Sequence, residues 1–120
     1  MSHHYPHASV IGVVDGDTID VTIDYGFRLR QDHRVRLAGI DAPEVRAAGP
    51  EGEAARDWLR ARLPVGTAVE LVTDKAREKF GRWLATVWRV DPATSRAEAD
   101  SINAQLIAAG HARPYDGGPR

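Results

Sequence analysis

Cysteine is absent from this 120-residue chain. That excludes a disulfide framework, thiolate metal ligands and a cysteine nucleophile. No apolar run approaches the roughly 20 residues that a membrane helix needs. The polar, His-rich start, residues 1–8, lacks the apolar core of a secretory leader. Cytoplasmic residence is therefore the default expectation, with secretion left open for a chain from which a leader was removed. A surplus of either charge is also missing: 16 Lys and Arg face 17 Asp and Glu, for a net charge of -1. A strongly basic coat protein is excluded, whereas a local basic cleft on a neutral body is not. What is present, 42% hydrophobic and 28% charged residues, argues for one folded domain with a real core.

Residues 1–7 read as a loose polar arm. His3, His4 and His7 would share a metal only if something held them together, and nothing nearby does so. From Ala8 the pattern becomes strand. Val10, Ile11, Val13 and Val14 run into Asp15-Gly16-Asp17, a hairpin signal. Ile19, Val21 and Ile23 then alternate with Asp20, Thr22 and Asp24, the period of a half-buried strand. Tyr25-Gly26 turns the chain into a third run, Phe27 to Leu37, with a bulge or loop expected where Gln31 and His33 break the apolar parity. Turn residues fill Gly39 to Pro50.

A helix is expected over Glu51–Leu63, acidic at its start and basic at its end, stopped by Pro64 and Gly66. Strands are expected at Ala68–Thr73 and Trp83–Val90, with a charged turn between them. A last short helix, capped by Asp100 or Ser101, carries Ile102, Leu106 and Ile107 and ends at Gly110. Five strands with a helix after the third suit a small closed antiparallel barrel of the OB-fold kind, mainly β with two or more short helices.

Three segments put charge where packing would not. Asp15 and Asp17 flank Gly16 at a strand junction, which by itself is an ordinary hairpin turn. In Val35-Arg36-Leu37-Ala38-Gly39-Ile40-Asp41-Ala42-Pro43-Glu44, two acids flank a rigid Ala-Pro turn behind an arginine. A surface ion pair is the plain alternative there, although it would contribute only about 0–1 kcal/mol. Glu78-Lys79-Phe80-Gly81-Arg82-Trp83 is a basic hairpin tip, or simply a solvated turn. Taken together they form an inventory. Carboxylates and a carbonyl suit calcium or magnesium. Two arginines can clamp phosphoryl oxygens. A free carboxylate can take a proton from water. That set fits phosphodiester hydrolysis, whose transition state gains negative charge.

These segments, with Ile102-Asn103, Leu106-Ile107 and Gly110-His111-Ala112 further on, resemble the staphylococcal nuclease (thermonuclease) family, in order, from about Val10 to Ala112. The resemblance implies an OB-fold barrel, bounded here as residues 8–116, between the arm at 1–7 and a tail at 117–120. It implies a calcium-dependent nuclease acting on DNA and/or RNA, releasing the 5′ oxygen and leaving 3′-phosphate products. One calcium per site would be held by Asp17, Asp41 and the backbone carbonyl of Ala42, with Asp15 bonding to the groups around it. Arg36, Glu44 and Arg82 would be catalytic, and Lys79, Phe80 and Tyr115 would bind nucleotide. Ala42 and Phe80 depart from the family pattern, which often has Thr and Tyr there. Nucleic acid is the expected partner, with no membrane. A monomer is expected, a small homo-oligomer being the alternative. The competing function is a non-catalytic single-stranded nucleic-acid-binding OB module.

Overall fold

β-branched side chains favour extended backbone, and the two Val- and Ile-rich runs near the N-terminus form β1, Ser2–Asp15, and β2, Thr18–Asp24. The computed structural model describes residues 2–77 and 83–115. The arm expected at residues 1–7 is not loose where it is described, because Ser2 to Tyr5 pair with Asp74 to Leu71 of β5, Ala68–Arg77. The register shifts between Tyr5 and Ala8. That stretch contains Pro6, which has no N–H to donate to a ladder. His3 and His4 are successive strand residues and point to opposite faces. No group of three or more His, Asp or Glu side chains that could hold a metal occurs among the described residues.

β3 begins at Arg30 and ends at Leu37, three residues later than the run in the sequence suggests. Phe27 and Arg28 instead adopt φ of 53° and 64° at the tip of the β2–β3 hairpin. Tyr25 N–H donates to Leu29 O at 2.9 Å and Leu29 N–H to Gly26 O at 2.8 Å. Phe27 and Leu29 are exposed in consequence. The bulge expected inside the third strand is absent: pairing runs unbroken from Asp24↔Arg30 to Thr18↔Arg36. His33 keeps the inward parity of Val35 because it has a partner for its ring, the Tyr25 hydroxyl at 2.6 Å.

Strand order is β3-β2-β1-β5-β6, where β6 is Trp83–Asp91, and a parallel pairing of β3 with β6 joins the two edges. Five long strands thus close on themselves, giving the expected OB-fold barrel. The closing contact covers Val35 to Leu37 of β3. Val10, Ile19, Val21, Val35, Leu37, Leu71 and Val87 fill the interior. Short pieces decorate it: β4, Ile40–Asp41, pairs with β8, Arg113–Pro114, and β7, Arg96–Ala97, extends β6.

The helices are α1, Val45–Ala48, α2, Pro50–Arg62, and α3, Ile102–Ala108. α1 falls where only turns were expected. Pro50 opens α2, a position where its missing N–H costs nothing. Ala55 and Leu59 of α2, with Leu63 just beyond it, are buried. Ser101 caps α3, its hydroxyl accepting from Ala104 N–H at 3.1 Å. The buried Asn103 carboxamide locks α3 onto the barrel closure. It donates to Ala38 O at 2.9 Å and Ala85 O at 3.1 Å, and accepts from Val87 N–H at 3.1 Å. Among the described residues no helix is long and apolar enough to cross a membrane.

Candidate active site

The β1–β2 turn places Asp17 in the interior, 2% exposed. A buried carboxylate is costly unless it is paired and hydrogen-bonded, and Asp17 is both. Its Oδ2 accepts from Arg36 Nη2 at 2.8 Å and from Ala42 N–H at 3.2 Å, and its Oδ1 from the Thr18 hydroxyl at 3.1 Å. Arg36 comes from β3, where Val35 and Leu37 point into the barrel core and Arg36 therefore points the other way. Arg36 is itself 3% exposed. The same Nη2 reaches Asp41 Oδ1 at 3.2 Å. One guanidinium nitrogen thus gathers two carboxylates far apart in sequence.

Asp41 belongs to β4 and is half-buried. Its second oxygen accepts from Arg113 Nη2 at 3.2 Å. Asp15 works at the next turn: its Oδ1 accepts from Val45 N–H at 3.0 Å, the first residue of α1. Glu44 immediately precedes that amide and is exposed, with no side-chain bond to the helix it opens.

Two glycines make these approaches possible by taking no space. A Cβ on Gly16 would lie 2.6 Å from the Ala55 Cβ, and a Cβ on Gly52 would lie 2.4 Å from the Glu44 carbonyl oxygen. α2 therefore packs directly under both the Asp15–Asp17 turn and the Glu44 turn. Gly16 has no positive φ, so its role here is close packing and not turn geometry.

The structure brings Asp17, Arg36, Asp41 and Ala42 into direct contact and sets Asp15 and Glu44 beside them. Tyr115 is tied in through its backbone, its N–H donating to Gly39 O at 2.9 Å. Lys79, Phe80 and Arg82 lie outside the described residues. β6 begins just after them, with Trp83 opposite Val35. Arg113 and Gly52 were missed from sequence. A glycine inside an otherwise helical run was the available signal for Gly52, and nothing local marks Arg113.

Comparison with known proteins gives this cluster a context. The staphylococcal nuclease homologue family matches residues 34–118. The chain belongs to that family. Over 107 residues it is 39% identical to the protein ParB of Escherichia coli, covering 88% of this chain and 55% of that protein. It is 38% identical over 107 residues to a micrococcal nuclease of Shigella flexneri, covering 88% and 56%. A thermonuclease of Staphylococcus intermedius is 36% identical over 106 residues, covering 84% and 55%. The chain spans about half the length of the curated relatives it matches.

The donor chemistry fits a calcium-type ion. Asp17, Asp41 and the Ala42 carbonyl offer only hard oxygens, which calcium and magnesium prefer. Among the described residues, Asp15, Asp17, Asp41 and Glu44 also outnumber Arg36 and Arg113 by two, which favours a cation there.

Proposed function

We propose that this chain is a calcium-dependent nuclease that hydrolyses phosphodiester bonds of DNA and/or RNA, cleaving the 5′ P–O bond and leaving 3′-phosphate products. The observation that carries the reading is the single guanidinium nitrogen shared by the Asp17 and Asp41 carboxylates, with the exposed carboxylate of Glu44 on the adjoining turn, which makes no side-chain bond to the helix it opens. A stabilising role alone explains this poorly, since buried ion pairs often do no better than apolar replacements.

Asp17, Asp41 and the Ala42 carbonyl would hold the ion. When bound, calcium supplies positive charge against the phosphoryl oxygens and acidifies the attacking water. Glu44 takes a proton from that water. Arg36 is assigned to the phosphoryl oxygens, which a guanidinium can meet through another of its N–H groups while one nitrogen stays on Asp17 and Asp41. Arg82 is assigned the opposite side of the same phosphate, and the opening of β6 beside β3 supports that assignment. Lys79, Phe80 and Tyr115 are assigned to the nucleotide, and Asp15 to holding the turn that carries Glu44.

Digestion of end-labelled DNA and RNA oligonucleotides, with calcium and with excess EDTA, tests the proposal. Calcium-dependent fragments ending in 3′-phosphate are expected. Full activity in EDTA would overturn the metal assignment, and binding without cleavage under all conditions would favour a non-catalytic OB module.

A further inference from the structure

Asp41 receives two guanidinium groups of very different standing. Arg36 is buried and anchored on Asp17 as well. Arg113 reaches Asp41 Oδ2 with a side chain that is 72% exposed. Its reach is fixed by backbone: Arg113 is the Cα partner of Asp41 in the β4–β8 pair, and Tyr115 N–H on Gly39 O holds that pair together. An exposed ion pair contributes about 0–1 kcal/mol, so stability is a weak reason for this one. A cation arriving at Asp41 competes with these two guanidinium groups, and of the two only the exposed Arg113 has solvent to move into.

Arg113 lines a groove of about 370 Å³ together with Asp41, Pro43 and His111. The His111 ring is braced by Trp58, with ring centroids 5.8 Å apart. The groove adjoins the candidate metal carboxylate, so it offers a path for the nucleotide next to the one held at the site, and a guanidinium released from Asp41 would be within this groove to receive that nucleotide's phosphate.

We propose that Arg113 is an exchange residue: it covers Asp41 while no cation is bound, and grips a neighbouring phosphate of the nucleic-acid strand once a cation has taken Asp41. This rests on the nuclease reading above and adds a phosphate-binding subsite to it. Arg113 is a strand-binding residue here, with no part in the proton transfers.

The test uses the full chain and its Arg113→Gln and Arg113→Lys variants, with folding checked by circular dichroism. Calcium alone is titrated by calorimetry. A labelled single-stranded phosphorothioate oligonucleotide, which resists cleavage, is titrated with calcium present over a range of salt. Arg113→Gln should bind calcium about two- to fivefold more tightly, the range open to an exposed ion pair. It should also lose about 0.7 from the slope of log affinity against log salt, the signature of one lost phosphate contact on a single strand. Arg113→Lys should retain that slope. An unchanged calcium affinity, or an unchanged salt slope, in Arg113→Gln overturns the proposal. Hydrolysis of an unmodified strand by the parent chain is scored separately. Its absence sinks the nuclease reading, while the two titrations still decide what Arg113 does.

Discussion

Arg36 is the residue on which the site turns, because it is buried, charged and bonded to two acids from different elements. Arg36→Lys keeps the charge but replaces a planar fork with a point donor. Turnover on a labelled oligonucleotide should fall by at least ~10²-fold, about 2.7 kcal/mol of transition-state stabilisation. Near-normal turnover in the folded variant would remove Arg36 from the mechanism. Glu44→Gln should cost roughly 10²–10⁴-fold in kcat while strand affinity holds, since only basicity is removed. A third substitution reads the support beneath them. In Gly52→Ala the new methyl would meet the Glu44 carbonyl at 2.4 Å, a backbone atom that cannot swing aside. Overpacking of this kind costs about 1–3 kcal/mol, so the urea midpoint should drop and kcat should drop with it as the Glu44 turn is pushed away. That the acids and Arg36 come together was expected from three ordered segments taken jointly, each of which alone reads as an ordinary turn or surface ion pair. Arg113 and Gly52 were not, because one acts through a contact 72 residues away and the other through the space it leaves empty.

At the scale of elements, the carboxylate of Glu98 fastens three pieces together. It accepts from Arg62 at the end of α2, from Arg89 of β6 at 3.2 Å, and from Gln105 of α3 at 3.1 Å. Burial pushes its pKa up, but the hydrogen bonds from Arg62 and Gln105 and the charges of Arg62 and Arg89 outweigh this and hold it below the ordinary carboxyl value. A depressed folded-state pKa contributes stability that is present above the unfolded value and lost as pH falls through the folded one. The parent chain should therefore lose stability on acidification below about pH 4.5, the ordinary Glu value. Glu98→Gln should be less stable at neutral pH and should show a flatter stability profile across that acid range. Urea melts at several pH values measure both, and parallel profiles for the two proteins would contradict the assignment. Period and capping made most elements readable: the alternation of Ile19, Val21 and Ile23 marks β2, and Ser101 marks the start of α3. The misread elements were decided by distant partners. β1 extends back to Ser2 because β5 offers it a ladder, and β3 starts late because Phe27 and Arg28 accept left-handed backbone in a tight turn.

Over the whole molecule, barrel closure is what turns scattered charges into a site. Tight turns in the sequence indicate antiparallel neighbours, whereas the parallel β3–β6 pairing that closes the ring is a long-range event with no local signature. That pairing carries Arg36, and Asn103 bonds Ala38 and Ala85 across its end, so β4 with Asp41 leaves from a fixed point. Ligand binding at such a site must register in global stability, since the donors come from the β1–β2 turn and from β4 and are assembled only in the folded state. An ion that binds the native chain alone stabilises it by RT ln(1 + [L]/Kd), about 2.7 kcal/mol at a hundredfold excess over Kd. For a domain of this size each kcal/mol shifts the melting temperature by about 4 °C, so saturating calcium should raise Tm by about 10 °C. Asp41→Asn should abolish most of that rise. It is the cleaner probe than a change at Asp17, whose loss would leave the buried Arg36 short of its nearer counter-charge. Differential scanning calorimetry with calcium, magnesium and EDTA makes the comparison, with magnesium expected to give the smaller shift because it demands tighter octahedral geometry. If calcium leaves the Tm of the parent chain unmoved, or moves it equally in Asp41→Asn, the ion is not held where two carboxylates share Arg36, and the excess negative charge of this cluster must serve something other than a metal.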